Sequence, residues 1–299
     1  MLQERGTNVR AMCRPSSNRS HLPPDTEWVT GDIRDQDDVH RAVEGCTGVF
    51  HCAGFVGPTH YRLRDFDEIN VRGTRNVMRA AAKAGVIRVV HTSSIAAIGG
   101  GNGQLVDESR GDRMLTKGYA LSKRESETVA LESNGHGLQV VVINPGVVYG
   151  PRDRYFGRLI KMHMKGRLKL IAFAHRNLCL AYVDDVASAH IAAMERGESG
   201  QRYLVVSPAV TLGEFMMTLS LASGVRPPLW SVPDFVGKAA FALAWGASPV
   251  TRFRPPLRMS DLSGPGPAYD GSKAERELDV TYTPLREGLA RTLEWMRSR

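Results

Sequence analysis

The chain has 299 residues, 42% of them hydrophobic and 23% charged, a profile that fits one large globular domain or one domain with a smaller lobe. No apolar run reaches the ~18 residues that a membrane span needs, and the polar first residues are not those of a signal peptide. The formal net charge is +8, but it is dispersed; its densest stretches, KMHMKGRLK (161–169) and TRFRPPLR (251–258), lack interleaved aromatics and read as a solvated basic face rather than a nucleic-acid surface.

The chain opens LQERG, which reads as the last turn of a helix closed by glycine. Short apolar strands and amphipathic helices then alternate. NVRAMC (8–13) and EWVTGD (27–32) read as strands. DQDDVHRAVEG (35–45) reads as a helix with Val39, Ala42 and Val43 on one face. TGVFHCAG (47–54) is a strand ending in a glycine turn, and 65–85 is one long helix stopped by Gly85. VIRVVHTSS (86–94) is a strand, 117–133 a helix and LQVVVINPG (138–146) a strand. This βαβα rhythm predicts a parallel sheet with helices on both faces and ligands beyond the carboxyl ends of the strands.

The second half is less regular. A helix starts at the acidic pair of AYVDDVASAHIAAMERG (181–197), where Asp184 is expected to cap and Asp185 to complement the dipole. QRYLVV (201–206) reads as a strand. TLGEFMMTLSLASG (211–224) and DFVGKAAFALAWGAS (234–248) read as helices, the latter a lid or packing helix, with peripheral membrane contact as its alternative. A Pro-, Arg- and Gly-rich stretch runs from Pro249 to Pro267, and helices close the chain. Cys13, Cys46, Cys52 and Cys179 show no CxxC spacing and are expected to be free thiols. The histidines form no ligand cluster, so no metal is expected. His51 and His91 lie on strands near the expected site and read as core residues.

The sharpest chemical signal is GYALSK (118–123). Tyr119 and Lys123 are four apart on a predicted helix and share a face. A phenol titrates near 10, and an adjacent ammonium would favour the phenolate and fit it for acid/base work. Upstream, HTSSIAAIG (91–99) puts hydroxyls at the carboxyl end of a strand. Downstream, NPGVVYGPRD (144–153) leaves a strand through a proline and glycines.

With GDIRD, VFHCAG, INVRGTRNVMRAA, VVHTSS, YALSK, NPGVVYGP and YVDDVA in order, nearly the whole chain resembles the extended short-chain dehydrogenase/reductases, the NAD-dependent epimerase/dehydratase family. It is closest to the 3β-hydroxysteroid dehydrogenase and dihydroflavonol-reductase-like branch. The resemblance implies a Rossmann-like, doubly wound α/β fold, with a dinucleotide-binding domain of residues 1–153 and 178–206 and a substrate lobe of 154–177 and 207–299. It implies Tyr119 as acid/base, Lys123 as the group that tunes it and binds the nicotinamide ribose, and Ser94 as the holder of the substrate oxygen, with Ser93 as lesser candidate. Asp32 and Ile33 would flank the adenine. Cys52, Ala53 and Gly54 would line the dinucleotide, Pro145 and Val148 would border the nicotinamide, and Asn70 would be structural.

Arg14 stands where an acidic residue would accept the ribose 2′-hydroxyl of NAD, so NADP(H) is expected over NAD(H). Ser94 is followed by Ile95 and Ala96 rather than the acidic pair of sugar dehydratases, which disfavours dehydration. The expected reaction interconverts a secondary alcohol and a ketone on a hydrophobic sterol-, terpenoid- or flavonoid-like skeleton. A nucleotide-sugar epimerase and a non-catalytic family member remain as alternatives. A cytoplasmic location and a small-molecule substrate are expected. So is a homodimer through the helices at 65–85 and 117–133. The family begins with a strand, a glycine-rich turn and a helix. LQERG matches the tail of that helix, so roughly 25 to 30 residues are expected to be missing, either because the start codon lies further upstream or because the unit is lost; the first is favoured.

Overall fold

The computed structural model describes residues 1–56, 63–100, 104–110, 118–153, 156–228, 230–246 and 265–298. The stretch at 251–258, and Pro249–Pro267 up to residue 264, lie outside the described residues.

Strands β1 (Arg10–Cys13) and β2 (Glu27–Thr30) are followed by α1 (Gln36–Val43) and β3 (Gly48–His51). Asp35 caps α1 by accepting from the backbone N–H groups of Asp37 and Asp38, and Val39, Ala42 and Val43 form its buried face as expected. The long helix expected at 65–85 is divided. It comprises α2 (Leu63–Phe66), a π-helical stretch (Asp67–Arg72) and α3 (Gly73–Lys83). Gly73 opens α3 because a Cβ there would come within 2.6 Å of the Ile33 Cδ1.

Then come β4 (Arg88–Thr92), α4 (Ile95–Ile98), β5 (Leu105–Val106), α5 (Tyr119–Glu132), β6 (Gln139–Pro145), β7 (Val147–Tyr149), α6 (Phe156–Met164), β8 (Leu170–Ala172), β9 (Asn177–Leu178) and β10 (Leu180–Tyr182). The chain continues through α7 (Val183–Arg196), β11 (Arg202–Val205), β12 (Val210–Thr211), α8 (Leu212–Ser223), β13 (Trp230–Val232) and α9 (Asp234–Gly246). It ends with β14 (Ala268–Tyr269), α10 (Ser272–Leu278) and α11 (Leu285–Arg297).

The central sheet is parallel, in the order β11-β6-β4-β3; β1 and β2 pair with each other, also in parallel. Val89, Val90 and Val140 to Ile143 are fully buried. This explains their unbroken apolar runs, because a central parallel strand is covered on both faces. Each such side chain stabilises the fold by about 1.5–3 kcal/mol. Met78 and Ala81 of α3 and Ala130 of α5 pack on Val89 and Val140. Ala189 and Ala193 of α7 with Ala274 and Leu278 of α10 pack on Val90, Val141 and Ile143. A second core joins Phe156 and Ile160 of α6, Phe215 and Leu219 of α8, and Leu289 and Leu293 of α11 to Tyr149 and Tyr182. The chain is therefore a doubly wound α/β protein. Helix α9 rests on β8, where Gly237 meets Ala172 and Phe173, and Phe235 and Leu243 are exposed.

The acidic pair at the start of α7 behaves differently from expectation. The N-cap position is Tyr182, which makes no side-chain cap, so both aspartates lie inside the first turn. Asp185 is buried and accepts from the Thr283 N–H (2.8 Å) and hydroxyl (2.6 Å), fixing the entry to α11. Asp185→Ala strands these donors, and a loss of about 1–3 kcal/mol is expected in urea unfolding; unchanged stability would contradict this assignment.

Candidate active site

The carboxyl ends of β3, β4 and β6 are neighbours along one edge of the sheet, and the candidate residues lie there or on α5. Gly118 leads into α5 with φ 81° and ψ −142°, a conformation open essentially only to glycine. Tyr119 is the first residue of the helix. The Ser94 hydroxyl is near enough to the Tyr119 phenol to act on its pKa, in the lowering direction. Ser94 sits in extended backbone as the N-cap of α4, where its Oγ accepts from the Ala96 N–H at 3.2 Å.

Lys123 departs from expectation. It is 4% exposed, and its Nζ donates to the Thr92 carbonyl at 2.6 Å. Burial raises the pKa of the Tyr119 phenol, with the Ser94 hydroxyl partly opposing it. The expected acidification by Lys123 is not a feature of this geometry, because the ammonium is turned toward the strand. Burial also pulls Lys123 down to about 8, opposed chiefly by the charge of Glu127.

Asn70, in the π-helical stretch, is buried. It donates to the Ser122 Oγ (2.8 Å) and the Phe55 carbonyl (3.1 Å) and accepts from the Phe55 N–H (2.6 Å). It thereby ties α5 to the segment that leaves β3. π-Helical turns recur at functional sites because they re-aim one side chain without ending the helix.

Cys52, Ala53 and Gly54 are exposed just beyond β3. Ser93 is 4% exposed, and its hydroxyl has no partner among the described residues. Pro145 ends β6 and is buried; Val148 is half-buried in β7. Arg14 follows β1 and is exposed. Asp32 follows β2 and accepts from the Arg34 Nε (3.0 Å) and Nη2 (2.7 Å). That pairing holds its carboxyl below the usual range, with Arg14 a lesser contributor. Ile33 turns its side chain toward Gly73. A recess lined by Asp32, Arg34, Asp35, Glu68 and Arg72 opens at this end.

Sequence reasoning missed three polar residues behind the site: Glu127, Asn144 and Arg202. Lys123 and Glu127 stand four apart in KRESE, so a shared helical face was readable. The partners on β6 and β11 were not.

Three histidines lie beneath the same edge. His51 Nε2 meets the Thr74 Oγ1 at 2.9 Å, His190 Nε2 meets the Thr92 Oγ1 at 2.7 Å, and the His51 and His91 rings are 5.1 Å apart. Burial lowers all three pKa values, with the Lys123 charge adding to the effect on His51 and His91; His51 is pushed down to about 3.

These features define an NAD(P)-dependent oxidoreductase/epimerase of the extended short-chain dehydrogenase type. The chain belongs to the 3-beta hydroxysteroid dehydrogenase/isomerase family, whose model matches residues 5–232. Cinnamoyl-CoA reductase 1 of Petunia hybrida is 35% identical over 100% of this chain and 87% of its own length. Sterol demethylase protein B of Methylococcus capsulatus is 30% identical over 100% of this chain and 93% of its own. The solved structure of MoeE5 in complex with UDP-glucuronic acid and NAD superposes with a TM-score of 0.76 at 25% identity, covering 99% of this chain and 93% of that one. Among the described residues no helix is long and apolar enough to cross a membrane.

The lowered histidine pKa values imply an acid limit to stability. An unfolded histidine takes up its proton near 6.5 and a buried one resists it, so stability is full above pH 6.5 and falls as pH drops toward 3. His51→Gln removes one such group. Urea unfolding between pH 6 and 4 should show a slope shallower by up to about 1.4 kcal/mol per pH unit; a slope unchanged from wild type would refute it.

Proposed function

We propose that the chain interconverts a secondary alcohol and a ketone on a hydrophobic skeleton, with NADP(H) preferred over NAD(H). One observation supports the reading: Ser94, just past β4, lies close enough to Tyr119 at the start of α5 to lower the phenol's pKa, one helical turn from a buried lysine. A carbonyl oxygen between two such hydroxyls would be held by Ser94 and would exchange its proton with Tyr119. The nicotinamide cofactor, when bound, supplies or accepts the hydride at carbon.

The residues fit that group. The exposed Cys52–Gly54 segment offers backbone beside Lys123, and the Ser93 hydroxyl, which has no partner among the described residues, lies on the same edge. Pro145 and Val148 border it further along. An ammonium with a pKa near 8 can lend its charge to the phenolate once a ligand draws it from Thr92. The substrate class is supported by relatives named for a cinnamoyl-CoA reductase and a sterol demethylase protein. The NADP(H) preference rests on Arg14: a guanidinium beyond β1 suits a 2′-phosphate, and Asp32 is already committed to Arg34.

Tyr119→Phe should lower NADPH-dependent reduction of a sterol ketone by about 10²–10⁴-fold while dinucleotide binding persists; undiminished hydride transfer would sink the assignment. In fluorescence titrations, Arg14→Ala should weaken NADPH binding about tenfold and leave NADH nearly unchanged. Equal losses for both would count against the NADP(H) reading.

A further inference from the structure

We infer that Glu127 is a positioning residue that clamps Ser94 to the helix bearing Tyr119 and Lys123 and supplies the negative charge that Lys123 feels. Its carboxylate is 3% exposed. One oxygen accepts from the Asn144 Nδ2 at 2.7 Å, and the other pairs with the Arg202 Nη1 at 3.1 Å. The same Asn144 amide also donates to the Ser94 carbonyl at 3.1 Å. Helix α5, strand β6, strand β11 and the turn into α4 thus converge on one carboxylate. A displaced Asn144 would free the backbone of Ser94, whose hydroxyl acts on the Tyr119 phenol. A charge this deeply buried persists only with such partners.

The charge also reaches Lys123, one turn earlier on the same face. The other titratable groups that feel that ammonium are His51 of β3, Cys52 just beyond it and His91 of β4, with His190 of α7 across Thr92 and Tyr119 one turn back on α5. The histidines are pushed down and the Cys52 thiol up, and burial raises the Tyr119 phenol, which leaves all of them uncharged near pH 7. Glu127 supplies the carboxylate that acts on Lys123, and Arg202 pairs with it. Removing Glu127 should make Lys123 give up its proton more readily. Removing Arg202 should do the opposite, whereas a purely structural brace would have one effect for both.

This inference rests on reading Lys123 as the group that tunes Tyr119, but its test needs neither substrate nor turnover, so failure of that reading leaves the result interpretable. Acetic anhydride labelling of Lys123 in the full chain, followed by mass spectrometry across pH 6–10, gives the titration midpoint. Glu127→Gln should lower the midpoint and raise labelling at pH 7 about threefold. Arg202→Gln should raise the midpoint, and Arg202→Lys should match wild type. Midpoints that move together in the two Gln variants, or that do not move, overturn the proposal. If Glu127→Gln does not fold, Arg202→Gln decides alone: a raised midpoint supports the proposal, and an unchanged or lowered one overturns it.

Discussion

The site depends on a lysine ammonium held almost out of water. Taking that charge from solvent disfavours its protonated form, and the structure offsets the cost with one strong acceptor, the Thr92 carbonyl. The arrangement constrains its neighbours. Thr92 must end a strand so that its carbonyl is free of the ladder. The helix must begin at Tyr119 so that Lys123 falls one turn in, and Gly118 provides the unusual turn that allows it.

The surroundings are arranged to remain neutral. Three imidazoles lie beneath the edge with pKa values depressed by burial, and two of them, His51 and His190, meet the hydroxyls of Thr74 and Thr92 without competing for charge. Polar groups buried this way are tolerated because most find partners; a low local dielectric makes each remaining charge felt further.

Much of this was legible in the sequence. The innermost strands carry the apolar runs Val89–Val90 and Val140–Ile143, and α1, α5, α7 and α8 follow helical spacing, so local chemistry and tertiary role agree. That Ser94 follows a strand end and Tyr119 opens a long helix could be anticipated from the hydroxyl cluster after VVHT and from the helical spacing of YALSK. The two- and three-residue strands β5, β7 to β10 and β12 to β14 were not legible. Such short pieces are defined by partners up to 163 residues away, as in the pairing of Ala268 with Leu105, and carry no period of their own. Likewise nothing local marks Asp185 as a partner of Thr283 or Asn144 as a partner of Glu127. The direction of the Lys123 ammonium also escaped, because helical spacing fixes a face and not the rotamer of a long side chain.

The π-helical stretch at Asp67–Arg72 has a consequence for how this segment tolerates change in length. A wide turn holds one residue more than an α-turn, so deleting a single residue within it can restore an ordinary helix with little loss of helical hydrogen bonding. The helical residues on either side would keep their phase, while those inside the turn, Asn70 among them, would be re-aimed. Asn70 would then rotate off the Phe55 backbone while Val77 and Met78 kept their places in the core. A shortened chain of that kind would fold normally and yet leave the segment after β3 unmoored.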